Sequence, residues 1–230
     1  DEELLDIAKQ EYELLKSIDH PHIIQALDFF AYPFGAVLVL SFFAGKTLEA
    51  AIDADPSKHL SESISQGLFN ALVLAIDHLH ALNIIHRDVK ASNVLVADDL
   101  SDLKLVDFNT AQRVLEGGAL TMTGTVDYLP PEVLLGTSLS EKSDVWAMGL
   151  CLYLMLAGEL PIQRRLFWSR SEFARAMTAT EVVLAGGKWQ HVSKPPKTVL
   201  CSCLEMQPNC RATARQILAS DWLGTQTVSP

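Results

Sequence analysis

The run from Val145 to Gly158 constrains this chain more than any other stretch, because it is apolar throughout and is closed on both sides by acids, Asp144 and Glu159. A bilayer span needs about 20 consecutive apolar residues, and this run is shorter. A helix that is apolar all round must be covered on every side. The segment is therefore expected as an interior helix with the rest of the chain built around it. The 230 residues, 49% of them hydrophobic, supply the surface for such a core in one domain or two closely packed parts. The other long uncharged stretch, Phe29 to Gly45, carries Pro33 and Gly35 in its middle and reads as strand, turn, strand.

Apolar periodicity organises the remainder. Leu4, Leu5, Ala8, Tyr12, Leu15 and Ile18 recur at helical spacing, and His20-Pro21 ends the pattern. Ile23 to Phe30 and Ala36 to Phe43 read as strands. Leu60 to Leu82 presents Ile64, Leu68, Leu72, Ile76 and Leu79 on one face, a long half-buried helix ending at Asn83. Short strands are expected at Asn93 to Val96 and Leu103 to Val106. Further helices are expected at Val133-Leu134, Val145 to Leu156, Phe173 to Ala185, Thr198 to Glu205 and Thr213 to Leu218. The class is α+β, with a small strand-bearing part over residues 1–43 and a mainly helical part over 44–230, joined near Ala44-Gly45.

A formal charge of -10 repels phosphate polymers and anionic lipid, so bulk nucleic-acid and membrane-surface binding are disfavoured. Cys201, Cys203 and Cys210, with His191 upstream, would suit zinc only if they converged, and helix positions i and i+2 point to different faces. The four cysteines read as reduced, mostly buried thiols of an intracellular, cytoplasmic protein. No secretory leader pattern opens the chain. It starts at Asp1 directly in a helical pattern and reads as a piece of a longer protein.

Ile85-His86-Arg87-Asp88-Val89-Lys90-Ala91-Ser92-Asn93 sets an acid, a base and an amide at fixed spacing between a long helix and a short strand. Leu103-Lys104-Leu105-Val106-Asp107-Phe108-Asn109 places a lone carboxylate just after an apolar strand. Together they resemble the eukaryotic protein kinase family in its serine/threonine form, whose signatures include H-R-D-x-K-x-x-N and D-F-G. The resemblance implies a two-lobe kinase fold with a truncated small lobe, and transfer of the ATP γ-phosphate to hydroxyl groups of protein substrates, with ATP and Mg²⁺ as cofactors. Such transfer depends on positioning and on neutralising charge. By the same resemblance Asp88 orients the substrate hydroxyl and accepts its proton, Lys90 lies against the γ-phosphate, and Asn93 and Asp107 hold the metal. Lysine two residues after the acid is the form that goes with serine and threonine acceptors.

Other segments carry the resemblance further. Thr123-Gly124-Thr125-Val126-Asp127-Tyr128-Leu129-Pro130-Pro131-Glu132 is similar to the stretch that closes the activation loop, which implies that Thr125 bridges Asp88 and Lys90. Ser143-Asp144-Val145-Trp146 is similar to the start of the buried anchor helix, with Asp144 bonding the backbone near His86 and Arg87. Arg211 in Cys210-Arg211-Ala212 would form a buried pair with Glu132. Glu11 would pair with an ATP-positioning lysine, with Glu13 as the nearby alternative. Leu15, Ala26, His86 and Phe108 would stack between the lobes, Ala26 being smaller than usual and the column correspondingly loose. Leu40, Ser41, Phe43 and Leu95 would frame the adenine, Leu40 and Leu95 reading equally as plain core. Met122, Val126 and Leu129 would line a pocket for the residue after the phosphoacceptor. Because Arg87 precedes the catalytic acid, an upstream kinase is expected to phosphorylate Thr121, with Thr123 second.

Two departures accompany the match. The glycine-rich loop and strand lysine belong upstream of the opening helix and do not occur in these residues, which leaves a sheet edge and apolar surface open in the small part. Asn109 stands where the family has glycine, and asparagine tolerates left-handed backbone. On these departures rests the alternative, a catalytically weak pseudokinase or scaffold that binds partners through its helical part. Within the family the large part looks most like the calmodulin-dependent kinase group.

Overall fold

The computed structural model describes residues 2–114, 124–162, 164, 168–179, 184 and 186–224. In order they form α1 (Glu2–Lys16), β1 (Ala26–Tyr32), β2 (Gly35–Leu40), β3 (Lys46–Thr47), α2 (Leu48–Ala54), α3 (Glu62–Ala81), β4 (Ile84–Ile85), β5 (Val94–Val96), β6 (Leu103–Leu105) and β7 (Gln112–Arg113). There follow α4 (Pro131–Leu134), α5 (Glu141–Ala157), α6 (Arg170–Ala179), α7 (Lys194–Cys203), α8 (Ala214–Leu218) and α9 (Asp221–Gly224).

The apolar run is α5, and it lies in the interior as its composition requires. Ser140 and Ser143 close a reciprocal cap at its start, and every residue from Ser143 to Tyr153 is buried. Helices α3 and α7 pack on it. It stops at Gly158, whose φ is +74° and where a Cβ would come within 2.1 Å of the Lys58 carbonyl oxygen. Glycine is needed there on both counts. No described helix is long and apolar enough to cross a membrane.

Helix α3 starts on Ser61, whose side chain accepts from Ile64 N, and ends before Asn83 in left-handed conformation (φ 55°), as the sequence implied. Helix α1 ends earlier than Pro21 predicts. Ser17 Oγ donates to the Leu14 carbonyl at 2.7 Å and competes with the next helical bond. Helix α7 begins ahead of Thr198 because prolines occupy its first turn, where the missing N–H costs nothing. Helix α6 covers part of the expected Phe173 to Ala185, and most of the rest lies outside the described residues.

Strands β1 and β2 pair antiparallel around Pro33-Phe34, from Tyr32 opposite Gly35 to Ala26 opposite Leu40, with an irregularity between Ala26 and Asp28. Tyr12 of α1 stacks on Phe29 at 5.5 Å. Phe30, Tyr32, Phe34 and Val37 are exposed, the open apolar surface expected of the small part. Strands β3, β5 and β6 form a second antiparallel sheet, and β4 pairs with β7. Of the four cysteines Cys151 and Cys203 are buried while Cys201 and Cys210 are exposed, so "mostly buried" is corrected to two. Cys201 and Cys203 do face opposite ways on α7.

The connection from α1 to β1 is riveted to the helical part. Ile23 bridges Leu105 in parallel, Leu105 N donates to His22 O at 2.9 Å, and the His20 ring stacks on His78 of α3 at 4.9 Å. Burial, with the neighbouring His78, His22 and Lys104, lowers the His20 imidazole from its ordinary 6.5 to about 4, against a pull from Asp19. The unfolded chain thus gains a proton below about pH 6.5 that the folded chain refuses until about pH 4. Stability falls with pH through that window. Urea unfolding at pH 7 and pH 5 is expected to show a smaller acid loss in His20→Asn than in the natural sequence; identical losses would remove His20 as the cause.

Candidate active site

Helix α5 also supplies the anchor of the loop from His86 to Asn93. Asp144, buried in the first turn of α5, accepts from His86 N through Oδ2 at 2.9 Å and from Arg87 N through Oδ1 at 3.0 Å. His80, at the end of α3, shares Oδ2 through its Nε2 at 3.0 Å. Three donors on one buried carboxylate hold Arg87 at φ +70°, a conformation that only surrounding contacts can maintain in a residue with a side chain. His86 is fully buried. Its Nε2 bonds the Val106 carbonyl at 3.2 Å, its Nδ1 accepts from Asp88 N at 3.4 Å, and burial lowers its pKa despite the pull of Asp144 and Asp88. The imidazole is a neutral structural bridge.

Asp88 is where the polar groups converge. Its Oδ1 accepts from Thr125 N at 2.8 Å and Thr125 Oγ1 at 2.9 Å. Its Oδ2 lies 2.7 Å from Lys90 Nζ and accepts from Asn93 Nδ2 at 3.0 Å. Lys90 Nζ also donates to Thr125 Oγ1 at 2.8 Å, so Thr125 bridges acid and base as the resemblance implied. Gly124 makes this approach possible. A Cβ there, at φ +95°, would lie 2.4 Å from the Arg87 carbonyl oxygen.

Val106 N donates to the Asn93 carbonyl at 3.0 Å and so fixes the strand that ends at Asp107 beside the loop. The left-handed residue of this turn is Asp107 itself, at φ +64°. Asn109 is not left-handed, so the conformation that favours glycine is not demanded of it. Glu11 reaches the same turn, its Oε1 accepting from Phe108 N at 3.1 Å, and burial raises its pKa against the effect of that bond. Glu13, the nearby alternative, is exposed. Phe108 meets the His86 ring edge-on at 4.7 Å, and Leu15 and Ala26 are buried in the same core.

The residues expected around adenine lie on β2 (Leu40), on the stretch that follows it (Ser41 and Phe43) and on β5 (Leu95). Ser41 N donates to the Gln25 carbonyl at 2.8 Å, so this amide is spent on the chain itself. Phe43 is half-buried. Leu40 is 37% exposed and Leu95 is half-buried, so the plain core reading of both fails. No hydrogen bond among the described residues joins Leu40, Ser41, Phe43 or Leu95 to the Asp88 network.

Sequence reasoning missed His80, Thr110 and Tyr128. Thr110 Oγ1 donates to the His86 carbonyl at 3.1 Å and its own carbonyl accepts from Arg87 Nε. Tyr128 Oη accepts from Ala91 N at 3.5 Å, and burial raises its pKa. Each acts on a segment far away in sequence, so no local spacing marks it. Arg87 Nη1 is buried without a partner among the described residues. Thr121, Thr123 and Met122 lie outside them; Val126 is half-buried and Leu129 buried.

Arg211 and Glu132 complete the frame as a bidentate pair, Nη1 to Oε1 at 2.7 Å and Nη2 to Oε2 at 3.1 Å. Arg211 also donates to the carbonyls of Glu205 and Lys142 and lies over the Trp146 ring at 4.9 Å. All its hydrogen-bonding nitrogens are served.

A family model described as protein kinase domain matches residues 1–223. The chain is 29% identical to an Aurora kinase of Patiria pectinifera over 94% of its own length and 51% of that protein. It is 28% identical to serine/threonine-protein kinase 33 of Mus musculus over 98% of the chain and 47% of that protein. With ribosomal protein S6 kinase alpha-1 of Homo sapiens the identity is 30%, over 91% of the chain and 29% of that protein. The chain therefore spans about half or less of the length of these relatives. The family match runs through the elements that build the site, from α1 into α9, and the chain belongs to the protein kinase domain family.

Proposed function

We propose that this chain is the catalytic domain of a serine/threonine protein kinase that transfers the γ-phosphate of ATP to protein hydroxyls. The observation that carries the reading is the Asp88 carboxylate, held on both oxygens by Lys90, Asn93 and Thr125. A carboxylate so fixed orients a substrate hydroxyl and takes its proton as the oxygen attacks. Lys90 sits where it can offset negative charge on the transferred group, and Thr125 keeps Lys90 and Asp88 in register.

The donor set suits magnesium. Asn93 spends its amide nitrogen on Asp88, which leaves its oxygen, and Asp107 adds a carboxylate, both hard oxygen ligands. Bound ATP and Mg²⁺ supply the phosphoryl group and the charge that activates it. Leu40, Ser41, Phe43 and Leu95 would receive the adenine, and Glu11 would pair with a lysine on a preceding strand, below a glycine-rich loop. The lobes divide at 1–43 and 44–230, and the large one is most like that of the calmodulin-dependent group. Arg87 Nη1, buried with no partner among the described residues, supports control by a phosphate placed on Thr121 by an upstream kinase.

The test is radiolabelled phosphate transfer from ATP by the full-length natural protein to peptides that differ only in serine, threonine or tyrosine as acceptor. Magnesium-dependent labelling of the first two is expected, with Thr121 modified in the active form. No transfer to any peptide under these conditions would leave the scaffold reading in place.

A further inference from the structure

Arg113, on β7, serves none of the roles described so far. Its side chain bridges two helix ends. Nη2 donates to Ser17 Oγ at 2.8 Å, just past the last residue of α1, and Nη1 donates to the Leu82 carbonyl at 3.4 Å, which caps α3. Ser17 Oγ itself donates to the Leu14 carbonyl, so the guanidinium joins a hydroxyl already tied to the last turn of α1. A helix C-terminus carries partial negative charge from its unpaired carbonyls. Here one delocalised cation stands at two such ends at once.

The backbone around Arg113 is fixed independently. Arg113 pairs with Ile84 across β4 and β7, and Val114 N donates to the Asn83 carbonyl at 2.7 Å. The reach to α1 is therefore made from a braced position. On the other side, α1 already touches the metal-side turn through Glu11 and Phe108 N. The stretch from Asp107 to Arg113 thus holds α1 at two points, near its middle and at its end.

We propose that Arg113 is a positioning residue that keeps α1 in register with Asp107 by binding the C-termini of α1 and α3 together. It acts through Glu11, not on substrate. The role deepens the kinase reading and rests on it. Arg113 is exposed along its outer edge, toward a groove lined by Asp6, Lys9, Gln10, Glu13 and Leu14, so its effect is moderate.

In the full-length natural protein, Arg113→Gln is expected to speed hydrogen exchange at the Phe108 amide and to lower kcat about threefold to tenfold, with the KM for peptide unchanged. Arg113→Lys keeps the charge at the helix ends without the fork that reaches both acceptors, and should recover part of each effect. Combined with Glu11→Gln, the loss of kcat should be smaller than the product of the two single losses. Unchanged exchange at Phe108 in Arg113→Gln would overturn the proposal, as would fully multiplicative losses. If the natural protein transfers no phosphate, the kinase reading fails, and the exchange measurement still decides the link between Arg113 and α1.

Discussion

Replacing Asp88 with asparagine in the full-length protein is expected to lower kcat for peptide phosphorylation by about 10²–10⁴-fold, the range a positioned general base contributes. The substitution keeps size and shape, and the side-chain oxygen can still accept from Thr125 N. The amide nitrogen, however, would face Lys90 Nζ and Asn93 Nδ2, donors that now bond Oδ2. Part of the loss would then come from a loosened network. Two readouts separate the contributions. Lost basicity alone leaves the KM for ATP and the unfolding temperature in place, whereas a disturbed Lys90 or Asn93 raises that KM. Activity equal to the natural protein would defeat the assignment of Asp88.

The largest effect on stability is expected at Arg211. Its side chain is fully buried, and removing it strips the Glu132 carboxylate of its cation and takes one donor each from the Glu205 and Lys142 carbonyls. Breaking a buried pair from one side costs about 3–5 kcal/mol. Arg211→Ala should therefore lower the urea midpoint severely. Arg215 makes a similar contact, 2.9 Å from Asp77, but its side chain is 76% exposed. Exposed pairs contribute about 0–1 kcal/mol, and Arg215→Ala serves as the control. A cost for Arg211→Ala no greater than the control would show that the pair is not what holds α4 to the stretch between α7 and α8.

Much of the site was legible because its chemistry is written in short segments. His86 to Asn93 and Asp107-Phe108 each fall on one loop, and the structure brings Asp88, Lys90, Asn93 and Thr125 within hydrogen-bonding reach. The anchor helix was legible for a different reason: a polar-free run has few places to go. What sequence could not supply were contacts that exist only after folding. His80 lies well before Asp144 and meets it because α3 packs on α5. The strands β3, β4 and β7 have two residues each, too few for an alternation to be visible. Leu40 and Leu95 failed as core because an apolar side chain in a strand says which face it prefers, not whether anything covers that face.

Asp144 stands in the first turn of a helix buried along its length, and the loop carrying Asp88 hangs from it by two backbone amides. Close-packed interiors pass strain along instead of absorbing it. A substitution that repacks α5 against α3 or α7 would tilt Asp144 and move Asp88 with it. Loss of function would then give the same phenotype whether the change fell in the core or on the loop, and a gene carrying either would be scored alike. Only the amount of folded protein recovered from the cell would tell the two lesions apart.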